Sequence, residues 1–265
     1  MLQSFKLHSA RPFRSALKSC GKSFHFSCNN LSIHKRSVVM ASTLKYPKPL
    51  VVSPIEQHKS TVIMLHGLGD SGDGWYDIGS MFQEKMKNTK FIFPTAPMRT
   101  VTANYGMNMT AWFDIKEFGS FIKQEQDEEG LLETKRYVEE LISKENAAGI
   151  PSEKIVVAGF SQGGAISLLM LRSDAKLAGA VSMSGFLPLR SKPNLVSENN
   201  KKTPVLMCHG DADMVVKYEY GKMSYKILSD EGVNAEFLTY SGMPHSACQS
   251  EMNDVQDFLS KVLGC

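Results

Sequence analysis

The sequence predicts an α/β fold: one domain with a mostly parallel central sheet and helices on both faces. Three observations carry this. Strand-like runs alternate with helical segments along the chain, the pattern of a parallel sheet with crossover helices. One of those runs, Ile155–Ala158, is apolar throughout, as in a strand buried on both faces. The C-terminal segment places Met252, Val255, Phe258, Leu259, Val262 and Leu263 at offsets of three, four and seven, which is an amphipathic helix.

In chain order, Thr61–Leu65 is a short β-rich run ending at the His66-Gly67 turn, and Lys90–Phe93 is another, stopped by Pro94 and Pro97. Residues 131–146 have helical periodicity through Leu132, Val138, Leu141 and Ile142, ended by Gly149 and Pro151. Ile155–Ala158 is followed by an apolar helix over Ala165–Leu171. Ala178–Met183, Pro204–Cys208 and Ala235–Tyr240 read as further strands, the last preceded by a helix through Tyr220–Leu228. Residues 71–74, Ser-Gly-Asp-Gly, read as a flexible surface loop.

The 265 residues suffice for one such domain with a sizeable core. Hydrophobic residues at 42% and charged residues at 22% are ordinary for a globular protein, and no apolar run approaches the ~18 residues of a spanning helix. The net charge of +3 is unevenly placed. Residues 1–40 carry seven basic residues and no acid. The rest holds 23 basic against 27 acidic residues, a net of −4. The folded part is therefore mildly acidic; the basic balance belongs to the extension and gives no argument for nucleic acid as a partner of the domain, and none is expected.

Residues 1–40 form a basic, acid-poor extension, and residues 45–265 the domain. Such a composition is that of a mitochondrial or plastid transit peptide, or of a disordered tail. Met40-Ala41-Ser42 offers a second start, and with it a cytoplasmic protein. Five cysteines at 20, 28, 208, 248 and 265 have no metal-binding spacing. An odd count fits a reducing compartment and gives no disulfide framework. No metal or cofactor is called for.

The strongest motif is Gly159-Phe160-Ser161-Gln162-Gly163. It fits G-x-S-x-G with an apolar strand before it and an apolar helix after it, the strand–turn–helix of an α/β-hydrolase nucleophile elbow. Ser161 is the candidate nucleophile. A serine hydroxyl needs a base, and in this fold acid and base follow the serine in that order. His245 lies in a Gly/Pro loop between the last strand and the last helix and is the candidate base. His209, directly after a strand and before Gly210, fits better as a residue shaping the turn. Asp211 and Asp213 both follow the strand Pro204–Cys208, and spacing alone leaves the acid open between them. Acyl transfer also needs two backbone N–H groups facing the oxyanion. Gln162, after the nucleophile, supplies one; Leu68, in the Gly-rich loop His66–Asp70, supplies the other.

These residues lie among longer motifs: LHGLGD at 65–70, PTAP at 94–97, WFD at 112–114, GIPSEKI at 149–155, GFSQGG at 159–164, LAG at 177–179, LPLR at 187–190, CHGDAD at 208–213 and HSACQSEMNDV at 245–255. Together they make the chain similar to the acyl-protein thioesterase / lysophospholipase family, small carboxylesterases of the α/β-hydrolase superfamily. The resemblance covers nearly all of residues 50–263. The family pattern G-x-x-D-x-x-V falls on Gly210, Asp213 and Val216, so the resemblance implies Asp213 as the acid. It also implies Trp112, Phe186 and Val215 as the lining of an acyl channel; Phe186 additionally follows a strand at its carboxyl end. The implied activity is hydrolysis of long-chain acyl thioesters, S-palmitoyl groups on protein cysteines foremost. Lysophospholipids or small acyl esters are the alternative substrates, and an inactive acyl-lipid-binding module is a remote one. Partners are then S-acylated proteins or acyl lipids, with at most transient contact with a membrane surface. The sequence gives no oligomeric state.

Overall fold

The computed structural model describes residues 44–117 and 126–265; the extension 1–40 lies outside the described residues. Among the described residues nine strands and five α-helices follow one another: β1 (Leu50–Val52), β2 (Ser60–Leu65), α1 (Asp73–Gln83), β3 (Thr89–Phe93), β4 (Met98–Val101), β5 (Met107–Thr110), α2 (Glu128–Ala147), β6 (Ile155–Phe160), α3 (Gln162–Leu169), β7 (Gly179–Met183), β8 (Val205–Gly210), α4 (Tyr218–Asp230), β9 (Ala235–Tyr240) and α5 (Gln249–Leu263).

Seven strands form one sheet in the order β1-β3-β2-β6-β7-β8-β9. Only β1 runs antiparallel to its neighbour; the other pairs are parallel. Strands β2, β6, β7 and β8 are buried almost end to end, which is why they read as continuous apolar runs. Their side chains alternate between two cores. Ile63, Leu65, Ile155 and Val157 pack with Leu131, Val138 and Leu141 of α2 and Ile166 and Leu169 of α3. Val62, Met64, Val156 and Ala158 pack with Trp75 and Phe82 of α1 and Met252, Val255 and Leu259 of α5. The sheet is thus covered on both faces, as an α/β-hydrolase fold requires.

Four elements depart from the sequence reading. Residues 73 and 74, read as loop, open α1. The helical stripe Trp75, Ile78, Phe82 was present in the sequence, but the two glycines before it have the composition of a turn. Strand β1 is three residues long at the sheet edge, and β4–β5 form a separate two-stranded hairpin. Both are too short to show periodicity. Among the described residues no helix is long and apolar enough to cross a membrane.

Candidate active site

The site is assembled at the carboxyl ends of β2, β6, β8 and β9, where parallel sheets place their ligands. Ser161 sits between β6 and α3 with φ +55° and ψ −114°, a region that costs a non-glycine residue about 1–3 kcal/mol. Close packing holds it there. A Cβ on Gly159 would lie 2.3 Å from the Gly163 carbonyl carbon, and one on Gly163 would lie 2.2 Å from the Leu65 carbonyl oxygen. Strand, turn and helix can approach this closely only with glycine at both positions. The Ser161 N–H donates to the Met183 carbonyl at 2.8 Å, tying the turn to the end of β7.

His245, in the loop between β9 and α5, bridges two groups. Its Nδ1 is 2.7 Å from Asp213 Oδ2, and its Nε2 is 2.9 Å from Ser161 Oγ. An ionised carboxylate only accepts hydrogen bonds, so Nδ1 carries the proton. Nε2 is then the bare nitrogen, free to accept from the serine hydroxyl.

Asp213 lies in the loop after β8 with its carboxyl fully buried. Its Oδ1 accepts from the N–H groups of Val215 and Val216 at 2.8 and 3.0 Å. Burial alone would raise its pKa. Hydrogen bonds from His209 and His245, the positive charge His245 carries when protonated, and the Val215 N–H outweigh burial and hold it well below the usual carboxylate range. Asp211, the alternative that spacing left open, faces away: it is exposed and accepts from the Gly242 N–H at 2.6 Å.

Gln162 opens α3, so its N–H has no acceptor within the helix. Across the site, residues 67–70 make a turn closed by the Asp70 N–H on the Gly67 carbonyl at 3.3 Å. Gly69 takes φ +80° there, the conformation that asks for glycine, and its N–H donates to the Thr110 carbonyl at 2.8 Å. The Leu68 N–H makes no backbone hydrogen bond among the described residues. A cleft of about 230 Å³ joins these parts; Leu68, Ser161, Gln162, Phe186, Val215 and His245 all line it. Its wall is predominantly apolar, with Ile115, Phe160 and Val216 as further lining.

The phospholipase/carboxylesterase family profile matches residues 46–263, and the strained serine, the histidine and the aspartate all fall inside that span. The chain belongs to the phospholipase/carboxylesterase family. It is 43% identical over 233 residues to acyl-protein thioesterase 1 of Neurospora crassa, covering 84% of this chain and 95% of that one. It is 44% identical over 240 residues to acyl-protein thioesterase 1 of Cryptococcus neoformans, covering 84% and 100%. The crystal structure of Zea mays acyl-protein thioesterase 2 superposes with a TM-score of 0.72 at 32% identity, covering 83% of this chain and all of that one. The chain is therefore a hydrolase with the α/β-hydrolase fold, as its motifs imply.

Within this phospholipase/carboxylesterase fold, one residue expected in the channel lies elsewhere. Trp112 is fully buried and does not line the cleft. Its Nε1 donates to the His66 carbonyl at 2.8 Å, and its backbone N–H donates to Gln162 Oε1 at 2.7 Å. Gln162 Nε2 in turn donates to the Phe113 carbonyl at 2.7 Å, and Phe113 meets Phe186 edge-on. The WFD turn supports the cleft from beneath. Phe186 forms its buried wall, and Val215, half exposed, its rim. The Gln162 amide, whose two ends clamp that turn, and His209, which approaches the Asp213 carboxylate, are roles the motifs alone do not disclose. The available signal for the second was a histidine at the end of an apolar strand run; the structure places it inside β8, one residue from its end. Among the described residues no group of three or more His, Cys, Asp or Glu side chains is placed to hold a metal ion.

Proposed function

We propose that this family member hydrolyses long-chain acyl thioesters, with S-acylated proteins as its substrates. The observation that carries the reading is the hydrogen-bonded chain from Ser161 through His245 to Asp213 at the wall of an apolar cleft. The names of the fungal relatives, each an acyl-protein thioesterase 1, support the substrate class.

In this reading Ser161 Oγ attacks the thioester carbonyl while His245 Nε2 takes its proton. The carbonyl oxygen becomes an anion and receives the N–H groups of Leu68 and Gln162. The C–S bond then breaks, and the imidazolium gives its proton to the departing cysteine thiolate. Water, deprotonated by the same nitrogen, attacks the acyl-enzyme; fatty acid leaves and Ser161 regains its proton. Asp213 keeps Nδ1 protonated and stabilises the imidazolium. Phe186 and Val215 line the path of the acyl chain.

We read residues 45–265 as the catalytic domain and residues 1–40 as an extension outside it. The domain works in the cytoplasm unless the extension directs it to an organelle. A competition assay tests the substrate class: S-acyl peptides, lysophospholipids and short esters compete with a fluorophosphonate for Ser161 in the intact protein. The thioester reading expects the S-acyl peptide to have the highest kcat/KM. A preference of tenfold or more for lysophospholipid or short ester would replace it with the corresponding alternative.

A further inference from the structure

His66 follows β2, is almost fully buried and does not line the cleft. Its ring makes two hydrogen bonds that fix its tautomer. The Ala96 backbone N–H can only donate, and it points at Nε2 from 3.0 Å. Nε2 therefore presents a lone pair, and the proton sits on Nδ1. Nδ1 is 2.6 Å from the Gly67 carbonyl oxygen, which can only accept. Burial lowers the His66 pKa, against the opposing pull of the Gly67 carbonyl and the Asp70 carboxylate. The ring is thus kept neutral, with one donor and one acceptor.

The Gly67 carbonyl belongs to the same peptide unit as the Leu68 N–H. In a planar trans peptide the two point in opposite directions. A donor that holds the carbonyl on one side aims the N–H to the other. The rest of the turn is tied at its far end, by the Gly69 N–H on the Thr110 carbonyl and by Thr110 Oγ1 on the Asp70 carbonyl at 2.6 Å. The Asp70 N–H reaches the Gly67 oxygen only at 3.3 Å, so the His66 bond is the shorter of the two on that atom. The ring has little room to turn away: the Trp112 ring centre is 5.0 Å off, and Trp112 Nε1 holds the His66 carbonyl.

We propose that His66 is a positioning residue for the oxyanion hole: its Nδ1–H holds the Gly67 carbonyl and so aims the Leu68 N–H at the oxygen of the tetrahedral intermediate. The proposal rests on the reading of Ser161 as nucleophile and Leu68 as oxyanion donor. It also gives PTAP a task, since Ala96 within that motif fixes the tautomer through Nε2.

Two substitutions separate positioning from packing. His66→Asn keeps an amide N–H near the Nδ1 position but loses the acceptor for Ala96. His66→Gln keeps an acceptor near the Nε2 position but loses the donor to Gly67. Turnover of an acyl thioester is measured for both, with thermal midpoints and with active-site concentration titrated by fluorophosphonate. Removing one oxyanion donor costs about 10²–10³-fold in kcat. The expected result is a loss of that order in His66→Gln with KM within a few fold, and a kcat at least tenfold higher in His66→Asn. Equal losses in both, or losses that track the thermal midpoints, would overturn the proposal in favour of packing. Should His66→Gln not fold, ¹⁵N spectra of the parent enzyme decide, with His66→Asn assigning the signal. A neutral Nδ1–H ring at pH 7 is expected, and an Nε2–H ring or an imidazolium refutes the proposal. Ser161→Ala is the control. Turnover retained there would sink the underlying reading; an inactive Ser161→Ala beside a fully active His66→Gln would sink this proposal alone.

Discussion

His209 Nε2 lies 3.3 Å from Oδ2 of Asp213, the same oxygen that accepts from His245. The ring is buried and donates from that nitrogen to the Val216 carbonyl at 2.8 Å, so the N–H is shared between the two acceptors. Hydrogen bonds to a charged group are worth about 1.5–3 kcal/mol, and a shared, long one falls at the lower end. His209→Phe should therefore lower kcat on an acyl thioester by about tenfold. Steady-state kinetics on protein with an unchanged circular-dichroism spectrum checks this, and parental kcat would show that His209 only shapes the turn.

The two loop aspartates give a sharper contrast. Asp213→Asn leaves an amide opposite His245 Nδ1 and favours the wrong tautomer, which costs on the order of 10⁴-fold in a comparable triad. Asp211→Asn touches only the Gly242 N–H and should stay within about threefold of the parent, since surface changes of this kind are worth under ~0.5 kcal/mol. Measuring kcat for both variants checks the ranking. The reverse order would mean that the acid is Asp211.

That contrast also shows what the sequence could and could not carry. The nucleophile elbow was legible because its chemistry forces glycine at 159 and 163 between an apolar strand and an apolar helix. The buried strands and the amphipathic α5 were legible from periodicity. The choice between Asp211 and Asp213 came only from the family pattern, because two residues of loop decide which carboxylate turns inward, and spacing does not encode that. The placement of Trp112 beneath the cleft was likewise hidden, since an aromatic residue just past a short strand looks the same whether it lines a channel or supports it. The strands of the β4–β5 hairpin are four residues each and bury only Val101, so they present no buried face to read.

Glu251 gives a pH dependence of stability. Its side chain is fully buried in the first turn of α5. Burial pushes its pKa up to about 7, opposed by the Cys248 backbone and aided by the Asp254 carboxylate. The native state therefore holds this proton more tightly than the unfolded chain does. The resulting stabilisation is complete below the ordinary pKa of about 4.5 and is lost as pH rises through about 7. At 1.36 kcal/mol per pKa unit the span is about 3 kcal/mol at most. Glu251→Gln removes the titrating group, so its stability relative to the parent should improve from pH 5 to pH 8. Urea unfolding of both proteins at the two pH values checks this, and a difference independent of pH would contradict it.

The extension gives a prediction by construction of the domain. The family match begins at residue 46 and the first strand at Leu50, so core and site lie beyond residues 1–40. A chain starting at Met40 should equal the full chain in kcat/KM and keep its thermal midpoint within about 2 °C, less than 1 kcal/mol would produce. A large loss in either would place the extension in contact with the domain. Residues 1–40 fused to a fluorescent reporter test the address: a mitochondrial or plastid pattern supports transit, and a diffuse signal opposes it.

The central claim is that Ser161 is the nucleophile, held in a strained turn beside His245. The most direct measurement is the turnover number of Ser161→Ala on an S-acyl peptide, taken with its thermal midpoint. Loss of one member of a triad costs ~10⁶-fold in kcat in a comparable serine hydrolase. The expected result is a fall of that order, to the limit of detection, in a protein that melts at or above the parental midpoint, because alanine removes no packed group. A folded Ser161→Ala protein that retains kcat within tenfold of the parent would contradict the account.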